Sequence, residues 1–153
     1  VKKSGVLIAI QSSLEARCTK LVAASEAARA EATHEDNQSE SKYDTRSIEA
    51  GYLANGQARK AEEAAHAVLT YDALQLREFD DETPIALTAL VELRLGANSE
   101  WFFIGPEAGG LEVEVDGKEI TVISAETPLA QQMIGKRKGQ STTRPPGTIL
   151  TVL

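Results

Sequence analysis

Four carboxylates crowd one short stretch of the chain: Glu35, Asp36, Glu40 and Asp44. Asp36 and Glu40 are four residues apart, as are Glu40 and Asp44, so any helical turn there aligns them on one face. Like charges at that spacing destabilise an isolated helix, yet such oxygens suit a hard cation that keeps much of its water shell. Phosphodiester hydrolysis by two metal ions asks for ligands of this kind. The same acids also fit a solvated cap, because Asp and Glu near a helix start are favoured by the macrodipole. His34 sits inside the acidic stretch and reads as an exposed histidine rather than a ligand. His66 reads as a helix-surface residue, Cys18 as filler in a helical seam, and Lys2 and Lys3 as exposed cations near one end. One cysteine leaves no internal disulfide and no zinc site of paired cysteines. No phosphate-binding loop, dinucleotide fingerprint, zinc-protease motif or nucleophile elbow is present.

The elements that must position these acids divide near Leu76–Pro84. All five prolines lie from Pro84 onward, as do eight of the eleven glycines, while the preceding stretch is proline-free and rich in Ala, Glu and Arg. The first composition favours helix and the second strands and turns. Leu7, Leu14, Leu21 and Ala28 recur every seven residues, with Ile10 and Ala24 at the intermediate position and Arg17 interrupting the seam. A polar run, Thr33–Ser41, breaks the pattern, and a second stripe follows from Tyr43: Ile48, Tyr52, Ala58, Ala61, Ala65, Val68 and Leu69. Two helical stretches around a short break fold most simply as an antiparallel hairpin over 1–76, with the acids at its turn. Small residues on the facing stripes, Ala24, Ala28, Ala54, Ala58 and Ala61, allow the backbones to approach closely. A first helix of about 27 residues would run ~40 Å.

Residues 77–84 read as an acidic connector, and 85–153 as a small α+β domain of four or five antiparallel strands around one short helix. The expected strands are Ile85–Leu95, Ser99–Ile104, Leu111–Val115, Glu119–Ser124 and Thr148–Leu153, with Asp116-Gly117 as a hairpin turn. Thr127 can cap a helix that has Pro128 at its first position and Gly135 just past its end.

Composition bounds the function classes. Hydrophobic residues make up 42% and charged residues 25%, so a folded chain is expected. Lys+Arg 16 against Asp+Glu 23 gives a net charge of −7, which offers no basic footprint for independent DNA binding. No apolar run is long enough to span a bilayer, and Val1–Ile10 is too short and mixed for a signal peptide, so a cytoplasmic protein without membrane association is expected.

The stretch Ile120-Thr-Val-Ile-Ser-Ala-Glu-Thr-Pro-Leu-Ala-Gln-Gln-Met-Ile-Gly-Lys136 resembles the C-terminal signature of the bacterial Gre transcript-cleavage factors. That signature runs strand, serine, Ser-Pro-aliphatic-Ala, two variable residues, an aliphatic pair and Gly-Lys. Thr127 here stands for the serine before proline, and Gln131 and Gln132 hold the variable positions. Trp101-Phe-Phe-Ile-Gly-Pro106 is similar to the family's aromatic strand ending in glycine. The resemblance implies an antiparallel coiled-coil hairpin followed by an FKBP-like domain, and a transcription elongation factor rather than an enzyme in its own right. Its partner would be RNA polymerase, gripped by the globular domain beside the secondary channel. The hairpin would reach the polymerase active site, where tip acids help hold a shared Mg²⁺, not tightly bound to the factor alone, near the 3′ end of backtracked RNA.

Carried over residue by residue, Asp36 falls on the family aspartate if Tyr43 matches the family tyrosine. The family glutamate then falls on Ser39, beside Glu40, and the acid before the tyrosine becomes Lys42. Asp36 and Glu40 are thus the candidate catalytic and metal-directed pair, with Glu35 and Asp44 in support. Trp101, Thr127, Pro128, Lys136, Arg137 and Lys138 are the candidate polymerase-binding residues. For the basic cluster, polymerase docking and contact with the RNA end stand beside a solvated loop balancing Glu107, Glu112 and Glu114. Arg46 would pair with local acids or contact polymerase or RNA. Two other functions fit the same shape: a secondary-channel regulator that inhibits or competes without cleavage, and an FKBP-like protein-binding module with another target.

Overall fold

The computed structural model describes residues 1–33 and 45–153, with the side chains of 32 and 45–54 left aside. The acids Glu35, Asp36, Glu40 and Asp44 lie outside the described residues, as do His34 and Tyr43 and the side chain of Arg46. Two compact units make up the chain: Val1–Gln11 with Thr70–Leu153, and Ser12–Leu69.

The proline-free half forms α1, Lys3–Thr33, and α2, Thr45–Asp72. The two helices pack together through small residues. On α1 the buried seam of the helical unit runs Leu14, Ser25 and Ala28, with half-buried Cys18 and Leu21 between. Steps of four and three residues keep that seam on one side, so Cys18 and Ser25 occupy it while Arg17 and Ala24, expected there, are exposed. Of the α2 residues described in the helical unit the buried ones are Ala61, Ala64 and Ala67, while Tyr71 is buried in the sheet unit. Of the expected stripe, Ala61 is buried, Ala58, Ala65 and Val68 are half-buried and Leu69 is 68% exposed, while the side chains of Ile48 and Tyr52 lie outside those described. No helix among the described residues is long and apolar enough to cross a membrane.

The other unit is built on a six-stranded sheet in the order β3-β4-β2-β1-β6-β5. Its strands are β1 (Leu90–Leu95), β2 (Asn98–Gly105), β3 (Glu112–Val115), β4 (Lys118–Ser124), β5 (Ser141–Thr143) and β6 (Pro146–Val152). The expected antiparallel sheet is in fact mixed, because β4 pairs parallel with β2. Burial explains the order. In β4, Ile120, Val122 and Ile123 are all buried, which suits an interior strand covered on both faces, whereas β3 alternates Glu112-Val-Glu-Val115 and takes the edge. The hairpin between them turns at Asp116 and Gly117, both at positive φ (54° and 69°), as a tight two-residue turn requires.

Two strand ends differ from expectation. β1 begins at Leu90 rather than Ile85, because Thr88 lies at φ 70° in a turn closed by Ala89 N–H on the Ala86 carbonyl. β5 is three polar residues with no alternation to announce it, and it exists through pairing with β6.

Alternation in β2 sends Phe102 and Ile104 into the core beneath α3, Pro128–Met133, with Leu93, Met133 and Ile149. Phe103 points to the opposite face and is also fully buried, so Phe102 and Phe103 are both core and only Trp101 of the three aromatics keeps partial exposure. The end of α2 is fastened here as well. The Tyr71 hydroxyl donates to the Glu107 carbonyl at 2.7 Å, and Thr70 Oγ1 donates to Glu107 Oε1 at 3.1 Å. Burial, then the Glu107 charge, push the Tyr71 phenol well above its ordinary range. Gly105 makes room for that hydroxyl: a Cβ there would stand 2.1 Å from Tyr71 Oη.

Candidate functional site

The segment Ile120–Lys136 is assembled as strand, cap, helix and stop. The Thr127 hydroxyl donates to the Ser124 carbonyl at 2.9 Å and accepts the Ala130 N–H at 3.3 Å, which satisfies an orphan donor of α3. Pro128 occupies the first helical turn, where a missing N–H costs nothing, and its ring is exposed. Gly135, at φ 83°, ends the helix, and its N–H bonds the Ile85 carbonyl at 2.8 Å while Ile85 N–H returns to the Lys136 carbonyl at 2.8 Å. Thr127 thus acts on α3, and Pro128 is the member of the pair that faces solvent.

In the basic loop, Arg137 and Lys138 meet the connector. Lys138 Nζ lies 2.8 Å from Asp81 Oδ2, both side chains well exposed, and Arg137 Nε donates to the Glu82 carbonyl at 2.6 Å. Lys136 Nζ donates to the Ser141 carbonyl. The connector itself is a turn organised by Asp80, whose carboxylate accepts from the Thr83 hydroxyl and from Glu82 N–H at 3.1 Å. The Thr83 hydroxyl is the main reason the Asp80 carboxyl sits below the usual carboxylate range.

Trp101 pairs across the sheet with Glu92 and lines a groove of about 270 Å³ with Ser99, Glu100, Lys118, Glu119 and Thr121. Its Nε1 is buried without a hydrogen-bond acceptor among the described residues. Among the described residues no group of three or more His, Cys, Asp or Glu is placed to hold a metal ion. The structure brings Thr127, Pro128 and Lys136–Lys138 into one strand-helix-loop segment, with Trp101 at the other end of the β2–β4 pair.

Sequence reasoning passed over three residues. Gln132, at a variable position of the signature, accepts Thr143 N–H and Arg144 N–H at 2.8 Å each through Oε1, and its amide nitrogen donates to the Arg144 carbonyl. It therefore covers part of the edge of β5. Gln131 donates to the Ala125 carbonyl at 2.6 Å. Lys3, expected to be exposed, is buried, with its ammonium 4.6 Å from the Phe79 ring centroid and donating to the Arg77 carbonyl. Phe79, 76 residues downstream, was the only hint, and nothing local links the two.

No protein-family model and no curated protein matches the chain. Solved structures do. GreA factor homolog 1 of Thermus thermophilus is similar at 14% identity, covering 95% of both chains, with a TM-score of 0.38. A second structure, of the transcription factor Gfh1, is similar at 14% identity over 94% of this chain and 93% of that one, TM-score 0.38. Gfh1 of Thermus aquaticus is similar at 16% identity over 99% and 96%, TM-score 0.35.

Proposed function

We propose that this chain is a Gre-type accessory factor that binds RNA polymerase at its secondary channel and stimulates the polymerase to cut backtracked RNA. The observation that carries the reading is the segment Ile120–Lys136: a strand, a Thr127-capped helix opening on an exposed Pro128, and a left-handed Gly135 before Lys136. Two packed helices and a mixed sheet with one short helix agree with the architecture the signature implies. In this reading the sheet unit grips the polymerase through Trp101, Pro128 and the Lys136–Lys138 loop, with Thr127 holding Pro128 in place. Asp36 and Glu40 would lend negative oxygens to a second Mg²⁺ shared with the polymerase, with Glu35 and Asp44 raising the local charge. The catalytic machinery remains the polymerase's own, so the factor is no enzyme by itself.

A second reading has its own support. Ser39 and Lys42 stand where the family tip carries acids, which displaces the second carboxylate by one residue. A tip so altered would occupy the channel without completing the metal site, and the chain would then inhibit synthesis or compete with cleaving factors. One experiment separates the two. Backtracked elongation complexes incubated with the protein should release short 3′ RNA fragments, and an Asp36→Ala/Glu40→Ala variant should release none while still binding. Polymerase binding and slowed synthesis without fragments would select the second reading. Absence of polymerase binding would refute both.

A further inference from the structure

We infer that the end of the sheet around Arg94 is a docking groove for an acidic segment of a protein partner. In the proposed reading that partner is the polymerase, and the inference rests on that reading only for the partner's identity.

Four polar residues stand in one row across four neighbouring strands. Ser99 pairs with Arg94, Arg94 with Thr148, and Thr148 with Ser141, so all four side chains share one face. Arg94, Thr148 and Ser141 of the row line a groove of about 340 Å³, together with Gly96, Pro146 and Gly147. Arg94 is exposed, and among the described residues its guanidinium has no ion pair or hydrogen bond. The nearest acid on its face, Glu92, does not serve it: one oxygen accepts from Ser99 Oγ at 3.0 Å and the other from Thr151 Oγ1 at 2.9 Å. At the far end of the row the Lys136 ammonium is fixed on the Ser141 carbonyl. A guanidinium with spare donors and flanking hydroxyls match a carboxylate.

The contrast with the Lys136–Lys138 loop sharpens the assignment. Arg137 and Lys138 are engaged by the Glu82 carbonyl and the Asp81 carboxylate, whereas no described residue engages the Arg94 guanidinium. The occupant is an acidic protein segment rather than a nucleic acid. The groove's lining holds one cation, Arg94, whereas a nucleic-acid footprint needs several to neutralise successive phosphates.

The test is an NMR titration of the whole protein with a capped hexaglutamate peptide, a hexaglutamine control and a short single-stranded RNA. Hexaglutamate should shift the Arg94 Nε and the Ser141 and Thr148 amides, hexaglutamine should not, and Arg94→Gln should abolish the shifts. Shifts confined to residues 136–138, or a larger response to the RNA, would overturn the assignment. With polymerase as the partner, Arg94→Glu should weaken binding about tenfold and Lys138→Glu less. If the wild-type protein fails to bind polymerase, the functional reading falls and the peptide titration still decides the groove.

Discussion

The two units of this chain are held by different kinds of interior. In the sheet unit, Leu93, Phe103, Ile104, Met133 and Ile149 are fully buried, and both faces of the sheet are covered. In the helical unit the fully buried large side chain is Leu14, and the rest of the described seam is Ser25, Ala28, Ala61, Ala64 and Ala67. Burying a large aliphatic or aromatic side chain contributes about 1.5–3 kcal/mol, and an alanine methyl only a fraction of that. Alanine instead supplies the highest helix propensity and lets backbones approach. One unit is stabilised by what its side chains bury, the other by what its backbone prefers. Segments with few buried apolar contacts open most easily, so hydrogen exchange should be faster in 12–33 and 55–69 than in β1, β2 and β4.

The largest expected effect tests that contrast directly. Phe103→Ala should cost about 3–5 kcal/mol, because it removes a fully buried ring from a face that cannot collapse around the gap. Ala64→Gly, at a seam position of α2, should cost only about 1 kcal/mol, the propensity difference. Urea unfolding measures both. Equal losses would mean that the helical seam is packed as tightly as the sheet, and the distinction would fail.

Next in size is the junction between the end of α2 and the sheet. Gly105→Ala places a methyl against Tyr71 Oη and should cost about 2–3 kcal/mol. Tyr71→Phe removes the hydroxyl and its bond to Glu107, a loss of about 1 kcal/mol. Combined, the two should cost clearly less than their sum, since the phenylalanine no longer carries the atom that clashes. Strict additivity in the double-mutant cycle would show that Gly105 is there for another reason.

Much of this was legible because it is local. Proline and glycine punctuation located the change from helix to sheet. Thr127, Pro128 and Gly135 announced the short helix, since capping and stopping depend on neighbours within a turn. The seam was readable in period but not in phase: alanines populate several faces of both helices, so Ala24 and Ser25 differ in burial without differing much in hydrophobicity. What could not be read was pairing between distant strands. The parallel β2–β4 contact depends on which strand can afford burial on both faces, and β5 depends on β6 and on the Gln132 amide. The carboxylates at 35–44 and their relation to a metal rest on the sequence alone. The Lys3 contact is the furthest case, a cation and a ring 76 positions apart.

That contact gives the smallest effect and the one with a pH signature. Burial is the main influence on Lys3 and lowers its pKa from the ordinary 10.5; Glu78 opposes the shift and Arg77 adds to it. Below the folded value both folded and unfolded chains hold the proton, and the cost of burying the ammonium is fully present. Between the folded value and 10.5 the unfolded chain holds more protons than the folded one, so stability rises with pH across that window. Tyr71 acts in the opposite sense above its ordinary 10.0, because its raised pKa keeps the folded phenol protonated after the unfolded one ionises. Subtracting the stability curve of Lys3→Met from that of the wild type cancels Tyr71 and isolates Lys3. The difference should climb in favour of the wild type between the lowered folded value and pH 10.5, by less than either substitution above. A flat difference would mean that Lys3 titrates as a solvated lysine, and that the first turn of α1 is not tied to Arg77 and Phe79 as the geometry has it.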